Sequence, residues 1–368
     1  MASASRRRPL VNLLFTCASP YTAGSLSNDR LYKTAKRQGN SLLNYIFKRF
    51  LNFILLVVLA STLGYFLAAS ALNPRSNYEG RNPPIPASSI DSKLDALNMN
   101  NNTPVVERYI TWVGGLLQGD LGTSLNEKSI NSEISRRIWV SLRLLLLGSV
   151  VGTVIGDIEG VVSAVRQYKP FDRYFSIASY VFLSAPVFLI ALLLKFGAIN
   201  LNNKLGFTFI YTVGEYSPEY SGAGFSSIVN RIQHLILPTL SIALGGIAFY
   251  SRYQRNAMLD VLSSDHLRTA RAKGLTRRQA LFKHGLRVAI LPLTTFFAYS
   301  FGLLIIGAAF TETIFGWNGM GQWFITAVQA NDVNSTSAVI LFSSILVLLS
   351  GFLADIVTAA LDPRVRLR

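Results

Sequence analysis

The chain has 368 residues, half of them apolar and only 15% charged, with a formal net charge of +16. Soluble globular proteins carry about 25% charged residues, so this composition excludes an ordinary soluble enzyme and points to a membrane protein. The positive surplus then reflects the Lys/Arg bias of cytoplasmic segments, and no nucleic-acid partner is expected.

The one cysteine, Cys17, rules out an intrachain disulfide framework and a cysteine metal site. His234, His266 and His284 are scattered and form no H-x-x-x-H pattern, so no metal site is expected.

Residues 1–45 read as a basic cytoplasmic tail, expected to be disordered. Residues 9–17 have only a weak likeness to a signal peptide, since Asn12 interrupts the short apolar run. The first membrane helix is expected within 46–73, because Phe50–Asn73 is uncharged over 24 residues. Residues 74–137 change character. They hold Pro83, Pro84 and Pro86, an Asn cluster at 98–102, and seven basic against seven acidic residues, as in an external subdomain. Thr103-Pro104 predicts a helix start with Pro at its first position. Val106, Tyr109, Ile110, Val113, Leu116 and Leu117 then recur at helical spacing, which predicts an amphipathic helix on the outer membrane face or capping the bundle.

Residues 138–366 read as the core, with five further spans. The second span, Trp139–Val165, carries Asp157 and Glu159, intramembrane charges of unassigned role that a location near the cytoplasmic end or a pairing with Arg166 would accommodate. The basic turn Arg166–Arg173 leads to a third span, Tyr174–Leu194, kinked at Pro186. The remaining spans are Ile232–Ser251, Val288–Thr311 and Val333–Ala354. The N-terminus, the 166–173 turn, the 252–287 stretch and the C-terminal tail are all rich in Lys and Arg, so six spans with both termini inside fit the charge pattern.

The stretch Arg252–Arg287 carries nine Lys/Arg and two acids, Asp260 and Asp265. Ser263 or Ser264 predicts the cap of a short helix at about 264–275, ended by Gly274. Leu267, Ala270 and Gly274 share one face, while Arg268, Arg271 and Lys273 lie on the other. Thr276-Arg277-Arg278-Gln279 has the capping-box pattern of a second helix that runs on towards Pro292. The small residues predict a face that lets a partner's backbone come close.

The segment R-T-A-R-A-K-G-L-T-R-R-Q-A-L-F-K-H-G-L-R-V-A-I-L-P (268–292) resembles the cytoplasmic loop of ABC-importer permeases, in the dipeptide/oligopeptide and nickel branch. Arg268 stands where the general motif has a glutamate, and Val288 where an asparagine is usual. Three further segments resemble the same family: W-V-G-G-L-L-Q-G-D-L-G-T-S (112–124), T-E-T-I-F-G-W-N-G-M-G (311–321) and L-D-P-R-V-R (361–366). The resemblance covers about residues 45–366 and leaves out the 74–103 insert. It implies an all-α integral membrane protein of six transmembrane helices with the type I importer permease fold, multi-pass in a bacterial inner (cytoplasmic) membrane. It also implies that the 264–275 helix, through Leu267, Arg268, Ala270, Arg271, Lys273, Gly274 and Leu275, is the coupling helix that docks on an ATPase. The implied partners are a second permease subunit in a heterodimer, two ATP-binding subunits, an extracellular or periplasmic peptide-binding protein, and membrane lipid.

The sequence contains no G-x-x-x-x-G-K-[ST] loop, so the chain binds no ATP in that way; the resemblance implies that ATP and Mg are bound by the partner subunits. Phe310, Thr311, Glu312, Trp317, Gly319 and Gly321 are the candidates for the translocation path or an external contact. The W-N-G-M-G run reads equally as a partner contact, a plug or a structural turn. Peptides are the leading cargo, and nickel or another small solute the alternative. A membrane enzyme built on Asp157, Glu159 or His234 is disfavoured because residues two apart on a helix point roughly 200° apart. A channel is disfavoured by the apolar spans.

Overall fold

The computed structural model describes residues 28–79, 82–220 and 224–361. The chain divides into two compact units, residues 1–45 and 46–368. Residues 28–45 are helical where the sequence reads as a disordered tail; residues 1–27 lie outside the described residues. The helix has a local cause: Leu31, Lys33, Ala35, Lys36 and Arg37 are strong helix formers, and no proline occurs between 28 and 71.

In chain order the helices are α1 (Asn28–Ala71), α2 (Ala87–Ala96), α3 (Val105–Leu117), α4 (Ile130–Val165), α5 (Pro170–Ser184), α6 (Val187–Leu205), α7 (Phe225–Leu262), α8 (Asp265–Ala272), α9 (Arg277–Ala280), α10 (Leu286–Phe315), α11 (Met320–Gln329) and α12 (Val333–Leu361). Within the described residues, Ile46–Ala71, α4, α6, α7 and Val333–Ile356 are long and apolar enough to cross a membrane. The 30-residue α10 covers the stretch expected as the fifth span. The third span departs from expectation, because it is two helices and not one kinked helix. Pro186 has no N–H, so the ladder of α5 stops at Ala185, whose N–H reaches Val181 O at 3.1 Å. A new ladder begins with Leu189 N–H on Pro186 O at 2.9 Å, and α6 runs on to Leu205.

The centre of the molecule is the seam between α4 and α7. Gly148, Gly152, Gly156 and Gly160 recur every fourth residue, which puts them on one face of α4. A side chain at any of them would collide with α7. A Cβ at Gly152 would lie 3.2 Å from Ala243 O and from the Cα of Gly246. At Gly156 it would meet Tyr250 Cβ at 2.8 Å, and at Gly160 it would meet Ser251 O at 2.5 Å. Lipid tails are as apolar as leucine, so helices in a bilayer associate through close backbone packing, and small residues at this period provide it. Around the seam, Val140, Leu144 and Leu145 of α4 pack with Ala191 and Ala198 of α6, Leu237 and Ile242 of α7, Ala308 and Phe315 of α10, and Trp317.

A second fastening closes the α8 side of the core. Arg255 of α7 forms a two-pronged pair with Asp172, Nε to Oδ1 at 2.7 Å and Nη2 to Oδ2 at 3.0 Å. The same carboxylate accepts the Tyr168 N–H at 2.9 Å and the Ser176 hydroxyl at 3.3 Å, so it also holds the start of α5. The hydrogen bond from Arg255 is the largest influence lowering the Asp172 pKa, opposed by burial.

At the opposite end the 74–137 segment is ordered against α1 and α12. Tyr65 of α1 packs on Tyr109 and Trp112 of α3, with ring centres 5.4 and 5.0 Å away. Ile90, Leu94 and Met99 from the proline-rich insert join the same cluster with Val333 and Leu341. The expected amphipathic helix is present as α3, but Pro104 occupies its N-cap and not its first helical position. Tyr109, Val113 and Leu116 face this cluster, whereas Val106, Ile110 and Leu117 are exposed. Asp332 ties the segment to α12 by accepting the Leu125 N–H and the Ser335 N–H, both at 3.0 Å.

Two outcomes follow from the packing. Gly152→Leu forces α4 and α7 apart and lowers stability by about 1–3 kcal/mol, the usual cost of overpacking; Gly245→Ala, a helical position with open space around its Cβ, does not. Thermal melts of the purified protein in one detergent compare the two. For Asp172 the folded pKa lies below the unfolded value of about 3.9, so its stabilisation is full above that pH and is lost as pH falls through the folded value. Asp172→Asn therefore destabilises by about 3–5 kcal/mol at neutral pH, and its deficit relative to wild type shrinks in melts below about pH 4.

Candidate functional site: the α8 helix and the 311–321 junction

The structure forms the short helix expected at 264–275, as α8. Ser264 sits at its N-cap, but its hydroxyl donates back to Val261 O at 2.5 Å and does not cap the helix. Asp265 occupies the first turn, where a carboxylate complements the helix dipole. The capping box that follows is complete. Gln279 N–H donates to Thr276 Oγ1 at 3.3 Å, and Thr276 N–H donates to Gln279 Oε1 at 3.1 Å. The chain then passes through α9 and one wide π turn at Leu281–Gly285 into α10, so α8 is held between α7 and α10 by short connections.

The two faces of α8 do different work from the one the sequence suggests. Leu267 and Ala270 are buried in the chain's own cluster with Ala280, flanked by Leu262 and Leu275. Gly285 completes this seat, since a Cβ there would lie 3.4 Å from Leu267 Cδ1. Gly274 has open space where a Cβ would project, so close approach is not why glycine stands there. Its φ of +92° is the reason, because only glycine adopts that conformation without strain. The exposed surface is made by Asp265, His266, Arg268, Thr269, Arg271, Ala272 and Lys273. Among the described residues Arg268 makes a loose 3.5 Å contact to exposed Asp265. The face free to receive a partner is therefore cationic, with the small side chain of Ala272 within it.

Of the candidates at the other end, Phe310 alone lies on the surface, with 58% exposure. Thr311 and Glu312 are fully buried, and Trp317 is 3% exposed. Glu312 is not in an external connection; it lies inside the last turns of α10. Its carboxylate accepts the Ser141 hydroxyl at 2.5 Å and the Gln322 N–H at 2.9 Å, which caps the N-terminus of α11 from outside that helix. Ser141 in turn accepts the Met320 N–H at 2.8 Å. A Cβ at Gly319 would run into this carboxylate, and one at Gly321 would lie 2.5 Å from Ala309 Cα. The W-N-G-M-G run is thus a tight turn from α10 into α11, locked to α4 through Ser141. The carbonyls at the end of α10 are taken up by Lys195 Nζ on Ile314 O at 2.5 Å and Gly214 N–H on Phe315 O at 2.8 Å. His234 holds the same loop, with Nδ1 2.9 Å from Gly214 O and its ring stacked on Tyr211. Sequence reasoning missed Ser141 and Lys195, whose partners lie far away in the chain.

Asp157 and Glu159 form no ion pair among the described residues, and Arg166 lies over the Phe171 ring at 5.7 Å. Glu159 lines an apolar cavity of about 390 Å³ between α4, α5 and α7, beside Ser179. Ser179 and Ser251 share a 3.0 Å hydrogen bond there. Asp157 does not line that cavity, and its Oδ1 is buried without a hydrogen-bond partner among the described residues. The two carboxylates thus serve different surfaces and form no dyad. Groups of three or more His, Cys, Asp or Glu able to hold a metal are absent from the described residues.

The junction makes a testable claim. Ser141→Ala leaves Oε1 of the buried Glu312 and the Met320 N–H without the Ser141 hydroxyl, which costs about 1–3 kcal/mol. Ser141→Thr keeps the hydroxyl, and melts in detergent should separate the two variants.

Comparison with known proteins places this geometry. The family profile described as "Binding-protein-dependent transport system inner membrane component" matches residues 112–367. The oligopeptide transport system permease protein OppB of Mycobacterium tuberculosis is 46% identical over 322 residues, covering 88% of this chain and 98% of that protein. The oligopeptide permease protein AppB of Bacillus subtilis is 36% identical, over 72% of this chain and 81% of that protein. The dipeptide permease protein DppB of Escherichia coli is 30% identical over the same shares. Among solved structures, an inward-facing MetNI methionine ABC transporter aligns with 62% of this chain and 96% of its own, at 19% identity and a TM-score of 0.49. The matched residues include α8, the capping box and the whole 311–321 junction, and the chain belongs to the family of binding-protein-dependent transport system inner membrane components, the permeases of ABC importers.

Proposed function

We propose that this chain is the permease subunit of an ATP-driven importer of peptides and supplies half of the membrane path. The observation that carries the reading is the 46% identity to an oligopeptide permease along 98% of that protein's length. In this reading a second permease subunit supplies the other half. Two ATP-binding subunits carry ATP and Mg, and an external binding protein delivers di- or oligopeptides. Both termini and α8 lie on the cytoplasmic side, in keeping with the Lys/Arg bias of those segments.

Coupling in this scheme is mechanical. Leu267 and Ala270 seat α8 against Ala280 of α9 and Leu262 at the end of α7, so a push on α8 passes to α7 and, through α9 and the π turn, to α10. The ATPase engages the exposed side, around Arg268, Arg271, Ala272 and Lys273. Closure of the ATP-binding subunits pushes α8, and the push repacks α7 and α10 to change which side the path faces. The buried Thr311, Glu312, Trp317, Gly319 and Gly321 fix the turn above the path, and exposed Phe310 is the candidate contact with cargo or the second permease.

In membranes carrying the full importer, Arg268→Glu with Arg271→Glu should abolish uptake of labelled oligopeptide, and the ATP-binding subunits should no longer copurify. The variant chain itself should accumulate normally, because both side chains are exposed. Uptake at the wild-type rate would count against the proposed docking face.

A further inference from the structure

Beside the root of α8 lies a cavity of about 430 Å³ that neither the path nor the proposed docking face uses. Val161, Val162 and Val165 of α4, Leu262 of α7, and Leu281 and Phe282 of the π turn form its apolar walls. Arg166, Arg277 and Arg278 stand at it. Two of these guanidinium groups lie over aromatic rings, Arg166 over Phe171 and Arg278 over Phe282 at 5.9 Å. None of the three pairs with a carboxylate among the described residues, and no acidic side chain lines the cavity. Val165 and Phe282 remain 38% and 55% exposed, so that part of the apolar wall is left uncovered.

The combination specifies its occupant. A soluble anion would satisfy the arginines but leave the valine and phenylalanine wall in contact with water. A neutral lipid would cover the wall but leave three cations without a counter-charge. An anionic phospholipid does both, since its phosphate meets the guanidinium groups and its acyl chain lies along the wall. The position agrees, because the membrane-spanning α4 ends at Val165 and the basic turn starts at Arg166. Basic sites at this level of a bilayer attract anionic headgroups. We infer that this cavity is a binding site for an anionic phospholipid of the cytoplasmic leaflet. The inference rests on the proposed topology, in which the α8 side is cytoplasmic. Such a lipid would bridge the end of α4 to the segment that carries α8, so the local lipid composition would influence the seating of α8.

The test uses the importer purified with its partner subunits, exchanged into mixed phosphatidylglycerol and phosphatidylcholine, and examined by native mass spectrometry. The wild type should retain phosphatidylglycerol, and not phosphatidylcholine, through delipidation. Arg277→Gln with Arg278→Gln should retain roughly tenfold less or lower, given the attraction expected per cation. Arg277→Lys with Arg278→Lys should restore most of it. Both arginines are exposed, so the variants should fold, and copurification of the partner subunits checks this. Equal retention in wild type and the glutamine variant would overturn the inference. Displacement by inorganic phosphate, which marks a simple anion site, would overturn it too, as would absence of lipid from the intact complex. Peptide uptake by the same preparations is read separately, so a failed transport reading would appear as absent uptake alongside normal lipid retention.

Discussion

The close approach of α4 and α7 is the constraint on which the rest of the molecule depends. In water two helices are driven together by burying apolar surface, but between lipid tails that drive is nearly absent. What remains is dispersion between surfaces that fit, and it needs backbones near enough to touch. The four glycines of α4, one per turn and slightly more, let the Cα atoms of Gly152 and the backbone of Gly246 come together. Everything that must hold its place relative to this pair, namely α5, α10, α11 and α8, is attached to one of the two helices.

Two of these attachments are polar and lie near helix ends. The junction at 311–321 is fixed to α4 by the Ser141–Glu312 pair, and the start of α5 is fixed to α7 by Asp172 and Arg255. The small helix α8 uses neither device. It sits on Leu267 and Ala270 against Ala280, within a few residues of the ends of α7 and α10. That arrangement suits the proposed lever, since the helix is seated on its own chain and presents a cationic outer surface. The inferred lipid site lies next to this lever, where α4 meets the segment that carries it.

Much of this was legible in the sequence. The spans follow from uncharged runs, and the capping box at Thr276–Gln279 is found where its residue types place it. The meaning of the small residues in the 264–275 helix was harder to read. Spacing puts Leu267, Ala270 and Gly274 on one side, but it cannot say whether that side meets a partner or the chain itself. The structure answers with the chain itself for Leu267 and Ala270, and with a backbone conformation for Gly274. Glu312 misled for a related reason. A carboxylate after an apolar run reads as the first external residue, and only the distant Ser141 and the N–H groups of α11 explain its burial. The glycine ladder was open to view at a spacing of four, although its partner surface on α7 carries no such repeat.

The central claim is that α8 is seated on its own chain by one face and offers the other to the ATPase. Cysteine accessibility tests this most directly. With Cys17 replaced by serine, single cysteines are introduced at Ala272 and at Ala270, and inverted vesicles are labelled with a membrane-impermeant maleimide, with and without the ATP-binding subunits. The account predicts that Ala272→Cys labels readily when the permease is alone and is protected by the ATP-binding subunits, while Ala270→Cys resists labelling in both cases. Ready labelling at 270 with partner-dependent protection there, and none at 272, would contradict it.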